Sequence, residues 1–194
     1  MEQSTFQTYY WQNDKVRLRL WEPKDAPYDY TNNLDSEAMA LDMEEICLPP
    51  RKTKVDTDGD SAEPNASAPA FTIEDLNGNY VGRIQYNYIN ERRGTFSIGL
   101  FLNREQRGKG YGKAAMSILL RYAFDERRLH KFNGYCLGVN TASAAMMKSL
   151  GCKLEGIVRE VIYLHGKYHD SHLYGLTEQE YRTRYNGHAV MVKE

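Results

Sequence analysis

Gln106-Arg107-Gly108-Lys109-Gly110-Tyr111-Gly112 stands between an apolar run, Ile98-Gly99-Leu100-Phe101-Leu102, and an amphipathic run over residues 111–129. An apolar stretch that enters a glycine cluster and leaves as a helical pattern is a strand-to-helix turn. Three glycines at alternate positions leave backbone N–H groups uncovered. A helix start adds unpaired donors and the positive end of the helix dipole. Such a turn seats an anion, phosphate above all. Arg107, Lys109 and Lys113 add positive charge around it.

Two familiar glycine signatures fit this stretch poorly. The nucleoside-triphosphate loop needs G-x-x-x-x-G-K-[ST], whereas Gly108 is followed five residues later by Lys113-Ala114. The dinucleotide fingerprint needs G-x-G-x-x-G, and the spacing here is G-x-G-x-G. What remains is Arg107-x-x-Gly110-x-Gly112.

A chain of 194 residues suits one domain, read as residues 1–194 with a core over about 16–181, and can bury a substantial interior. Lys plus Arg number 25 against 26 for Asp plus Glu, a net charge of −1, so no global field favours nucleic acid or an acidic membrane surface. No run approaches the roughly 18 apolar residues of a membrane span, and the opening residues, rich in Gln, Asn and Asp, lack a signal-peptide core. A cytoplasmic protein is expected, with neither nucleic-acid nor membrane partner. Cys47, Cys136 and Cys152 are odd in number and widely spaced, which suits reduced, buried thiols.

Val16-Arg17-Leu18-Arg19-Leu20-Trp21 alternates apolar and basic residues as a half-buried strand does, and Pro23 stops it. Residues 25–34 and 36–46 read as two helical pieces covering one face of the sheet, the second capped by Ser36 and closed before Pro49-Pro50. Residues 51–70 are polar with almost no large apolar side chains, so a long mobile insertion is expected. It could lie over a substrate site or have no role. Strand patterns over 71–76, 80–89 and 95–102, separated by polar turns, form an antiparallel meander leading into the glycine turn. After the helix from Tyr111, residues 133–139 give a strand parallel to 95–102. Residues 140–151 form a short helix capped by Asn140 or Thr141 and stopped by Gly151, and a last hairpin turns at His165-Gly166-Lys167.

This order, with Arg107-x-x-Gly110-x-Gly112 at a helix start and Val139-Asn140-Thr141-Ala142-Ser143 followed by Ser149-Leu150-Gly151-Cys152, resembles the GNAT superfamily of acyl-CoA N-acyltransferases. Leu154-Glu155-Gly156-Ile157-Val158-Arg159-Glu160 and His165-Gly166-Lys167-Tyr168-His169-Asp170 look like its RimJ/RimL group. The resemblance implies an α/β (α+β) fold with a mixed, mostly antiparallel sheet and helices on both faces. It also implies acetyl-CoA as cosubstrate. The main chain of Leu100, Phe101 and Leu102 would pair with the pantetheine amides, and Arg107, Gly108, Lys109, Gly110, Tyr111, Gly112 and Lys113 would hold the pyrophosphate. Asn140 and Ser143 would face the thiol end, Ser143 as a catalytic candidate. Both are equally at home as a helix cap and an ordinary helical serine.

The implied reaction moves the acetyl group directly to a primary amine, of a small molecule or a protein N-terminus, without a covalent enzyme intermediate. A backbone N–H of residues 100–102 would stabilise the thioester oxygen. The chain departs from the family's pattern at two positions. Met147 stands where a tyrosine acid is common, and Ser97 where many relatives carry Glu. The general base is thus unassigned. Glu44, Glu45 and Glu160 qualify by charge alone, although carboxylates are mostly solvated. The same departures motivate the alternative of an acyl-CoA-binding module with little or no turnover. His165, His169 and His172 sit on a hairpin with one nearby carboxylate, so no metal site is expected. Tyr86, Tyr88, Tyr168 and Tyr174 are candidates for walls of an acceptor cleft, each also a natural packing residue. The acceptor and the oligomeric state, a homodimer included, are left open.

Overall fold

The computed structural model describes residues 9–43 and 69–185. Seven strands form one sheet: β1 (Val16–Leu20), β2 (Ala70–Asp75), β3 (Tyr80–Asn90), β4 (Thr95–Leu102), β5 (Lys131–Leu137), β6 (Lys153–Leu164) and β7 (Lys167–Thr177). Their spatial order is β1-β2-β3-β4-β5-β7-β6, and only the β4–β5 pair is parallel. Helices α1 (Ala26–Asn33) and α2 (Ser36–Met43) precede β2, α3 (Tyr111–Arg121) joins β4 to β5, α4 (Thr141–Leu150) joins β5 to β6, and α5 (Glu178–Tyr185) follows β7. The sheet is mixed and mostly antiparallel with helices on both faces, as the resemblance implies. The alternating strands β3 and β4 pair in register, with Ile84 opposite Leu100 and Arg83 opposite Phe101.

The main core lies under α3. Phe96, Phe124, Phe132, Ile84 and Leu119 are fully buried in it, and each large side chain so removed from water contributes about 1.5–3 kcal/mol. Phe96 meets Phe132 at 5.6 Å and Phe124 at 5.3 Å between ring centroids. The helix expected over 111–129 is shorter. It changes to a π-turn at Tyr122–Glu126, and Arg128 takes a positive φ as the chain turns so that Leu129 is buried.

The other face is thinner. Ala40, Leu137, Ile162 and Leu164 form a small apolar cluster under α2. Charge holds α1 down: Arg19 meets the buried carboxylate of Asp25 at 2.7 Å through both terminal nitrogens, and the Thr72 hydroxyl donates to the same group. The cap of α2 is Asp35 rather than Ser36, since the Asp35 Oδ1 accepts from the Ala38 N–H and Ser36 already lies in the helix. A carboxylate outcompetes a hydroxyl at this position because it also complements the helix dipole. Most of the insertion expected over 51–70 lies outside the described residues.

Candidate active site

Strands β4 and β5 pair only at Thr95–Lys131 and Phe96–Phe132. Beyond that point β5 follows β7 along its whole length, while β4 stays with β3 through Leu102. The Phe96 and Phe132 rings, packed at a tilt, pin the base of this split. From Ser97 onward the edge of β4 that faces β5 has no strand partner, and a cleft of about 630 Å³ opens there. Strand alternation gives the cleft two kinds of wall. Ile98, Leu100, Met116, Met146 and Met147 line it from the core side; Asp29, Asn32, Arg83, Gln85, Asn87, Ser97 and Tyr135 line it from the α1–α2 side.

Among the residues expected to hold a cofactor, Leu100, Phe101, Asn140 and Ser143 line the cleft. Leu102 ends β4, packs on the core, and its carbonyl accepts from Arg107 Nε at 3.0 Å. The residues 107–113 lie at the strand's far end, outside the cleft wall. Gly110 is the residue before α3, with φ of 84°, a left-handed conformation that a side chain would strain. Gly108, Lys109 and Lys113 are exposed, whereas Gly112 is buried against Leu100, Leu102 and Met146. The Arg107 guanidinium also donates to Asp35 at 3.0 Å and lies over the Phe101 ring. Lys109 Nζ turns aside to Gln106 at 2.9 Å.

Asn140, rather than Thr141, is the cap of α4. It caps α4 by accepting the Ser143 N–H at 3.1 Å, and that cap fixes Ser143 at the cleft. Burial pushes the Cys136 thiol up, against a smaller lowering influence of the Ser143 hydroxyl. Met147 is buried over Gly134, where a β-carbon would come within 2.8 Å of its sulfur, so the position that departs from the family serves packing. Ser97 also lines the cleft.

Other candidate residues lie away from the cleft. None of Tyr86, Tyr88, Tyr168 or Tyr174 lines the cleft: Tyr86 is buried with its hydroxyl donating to the Leu119 carbonyl, and Tyr168 stacks edge-on with Tyr163 on the outer hairpin. The tyrosine that does line it is Tyr135. Glu160 sits exposed on β6 with a positive φ of 54°, and Glu44 and Glu45 lie outside the described residues. His169 is buried with Nε2 against the Leu164 carbonyl. Among the described residues no group of three or more potential metal ligands occurs.

Sequence reading missed Asp29, Arg83, Gln85 and Asn87. The signal was present: Arg83, Gln85 and Asn87 are the polar partners of Ile84 and Tyr86 in an alternating strand. Such a face reads as solvated until two helices are seen to roof it. Lys15 was missed too; its Nζ reaches the Lys109 carbonyl at 3.4 Å, beside the glycine turn.

Comparison with known proteins agrees with this geometry. An uncharacterised N-acetyltransferase, YokL, derived from the SPbeta prophage of Bacillus subtilis, is 27% identical over 172 residues, covering 89% of this chain and 95% of its own. A spermidine N(1)-acetyltransferase of Vibrio cholerae is 24% identical over 114 residues, 59% of this chain and 66% of its own. The crystal structure of a Vibrio cholerae spermidine N-acetyltransferase in complex with CoA and spermine shares the fold, with a TM-score of 0.75 at 22% identity over 87% of this chain and 99% of that one. Residues 15–153 match the family model described as an acetyltransferase (GNAT) domain, and the chain belongs to that family of acyltransferases.

Proposed function

We propose that the protein transfers the acetyl group of acetyl-CoA to the primary amine of a small molecule by direct attack, as a member of the RimJ/RimL-like group. The observation that carries this reading is the β4–β5 split, which leaves a strand edge free beside a glycine turn at a helix start. An extended chain of amides can add to such an edge as a further strand, with its phosphates on the N–H groups of residues 108–112. Open space around Gly108 and the left-handed Gly110 suit close approach of that anion. The apolar wall of Ile98, Leu100 and the methionines suits the pantetheine stem, and the polar wall suits an amine.

In this reading a backbone N–H of β4 stabilises the thioester oxygen as the tetrahedral centre forms, and the C–S bond then breaks. Ser143, held by Asn140 at the cleft, donates or relays the proton that the departing thiolate takes up. The amine loses its proton to solvent. Among the described residues the cleft's one carboxylate, Asp29, is occupied by donors from Trp21 and Tyr80 at 2.8 and 2.9 Å. A small amine is favoured over a protein N-terminus by the spermidine acetyltransferase relative.

Thiol release from acetyl-CoA across a panel of small amines, with calorimetric titration of acetyl-CoA and ATP in parallel, tests the proposal. Amine-dependent thiol release is expected. Binding of acetyl-CoA with release at background for every amine would leave only a CoA-binding module, and preference for ATP would remove the cofactor assignment as well.

A further inference from the structure

Of the side chains lining the cleft, two carry a formal charge, Asp29 from α1 and Arg83 from β3. They lie 3.4 Å apart, so among the described residues the acceptor wall offers no surplus of negative charge. An acceptor with several ammonium groups would meet one carboxylate already facing a guanidinium. Like charges so placed discriminate against a ligand.

Asp29 does not depend on Arg83. Trp21 Nε1 donates to its Oδ2 at 2.8 Å and the Tyr80 hydroxyl to its Oδ1 at 2.9 Å, whereas the Arg83 contact is the longest of the three. Arg83, in turn, is underused. Among the described residues its side chain makes one hydrogen bond, the long Nη1 contact to Asp29, and it is 40% exposed. A guanidinium fork with idle donors matches the paired oxygens of a carboxylate or a phosphate. Neutral amides surround it: Gln85 and Asn87 on the same strand, hydrogen-bonded to each other at 2.9 Å, and Asn32 on α1. Gly99 leaves the room that Asn87 fills, since a β-carbon there would come within 2.6 Å of the amide oxygen.

Resting on the acetyltransferase reading above, we infer that the acceptor is an amine bearing an anionic group, a carboxylate or a phosphate, and that Arg83 binds that group. Arg83 is opposite Phe101, one of the strand residues assigned to the cofactor, so the anion sits close to the reacting centre and a short spacer separates it from the acceptor's amine.

The experiment uses matched acceptors: γ-aminobutyrate and 3-aminopropyl phosphate as the two anionic arms, γ-aminobutyramide as the same amine with the charge removed, and spermidine. The wild-type protein is expected to show kcat/KM at least about 10-fold higher for one anionic arm than for the amide or spermidine, and the better arm identifies the group. Arg83→Gln is expected to lower kcat/KM for that arm by about 10- to 100-fold, with a several-fold smaller drop for the amide, and Arg83→Lys to restore part of the loss. Titration with CoA checks that the variants are folded. Equal or better turnover of spermidine or the amide by the wild type overturns the inference, as does an equal loss for all acceptors in Arg83→Gln. Thiol release at background with every amine overturns the acetyltransferase reading too, which separates the two failures.

Discussion

Asp35 Oδ2 accepts from Arg107 Nη2 at 3.0 Å, at the joint between α1 and α2, while its Oδ1 accepts from Arg104 Nη2 at 2.5 Å. One carboxylate therefore ties the roof of the acceptor wall to the segment that leads into the glycine turn. The Arg104 guanidinium, with Arg107 and the Ala38 N–H, holds the Asp35 carboxyl below the usual carboxylate range against a smaller opposing effect of burial. A carboxyl lowered in this way stabilises the fold above its unfolded value of about 3.9, and that contribution disappears as pH falls through the lower folded value.

Asp35→Asn should thus lower the urea midpoint at pH 7 and raise KM for the acceptor several-fold more than KM for acetyl-CoA, because α1 and α2 carry acceptor-wall residues. The difference in midpoint between wild type and variant should hold from pH 7 to about 5 and close below about pH 4. A midpoint difference that does not change with pH would show that the ion pairs contribute nothing.

Gly110 separates space from charge at the turn. With φ of 84°, any L-residue there carries about 1–2 kcal/mol of strain, and a β-carbon would lie 3.5 Å from Lys15 Nζ. Gly110→Ala should weaken acetyl-CoA binding through strain alone. Gly110→Asp adds a negative charge where the phosphates are proposed to sit and should abolish measurable binding. Calorimetry on both variants checks this, and equal affinity in the aspartate variant would remove the pyrophosphate assignment.

The strands, the meander of β2 to β4 and the glycine turn were legible because each depends on local pattern, whereas the insertion of β7 between β5 and β6 was not. Alternation in 16–21 and 80–89 marks half-buried strands, and Asn140 with Gly151 brackets α4 through cap chemistry. The acceptor wall was not legible, because it forms where α1 and α2 cross strands distant in sequence. Nothing local distinguishes Arg83 facing a roofed cleft from an arginine facing water. The packing role holds for Tyr86 and Tyr174, and the cleft-wall role was not legible for the same reason: Tyr86 and Tyr135 are both strand tyrosines, and only the layer beneath them decides which one is packed and which lines the cleft.

Asn140 and Ser143 should separate stability from turnover. Asn140→Ala leaves the Ser143 N–H without its cap, costing about 1 kcal/mol and lowering Tm by about 2–4 °C. Turnover should fall with it, as Ser143 loses its anchor. Ser143→Ala keeps the backbone N–H and the cap, so Tm should hold while kcat drops about 10- to 100-fold and CoA affinity changes little. Unchanged kcat in Ser143→Ala would assign the thiolate's proton to water.

The buried cysteines give a chemical readout of the same cleft. Burial pushes the Cys152 thiol up to about 12, and raises Cys136 as well despite a smaller lowering influence of Ser143. Alkylation requires thiolate and access, and both groups are short of each at pH 8. In the native protein Cys136 and Cys152 should therefore resist iodoacetamide over hours and react within minutes in denaturant, as peptide mass spectrometry would report. Since a folded thiol kept protonated favours the native state only below the unfolded value, stability should decline as pH rises above about 8.5. Cys136 lines the cleft and Cys152 does not, so saturating CoA should slow the residual labelling of Cys136 further than that of Cys152. Equal protection of the two would mean that CoA acts by stabilising the whole fold rather than by filling the cleft beside Ser143.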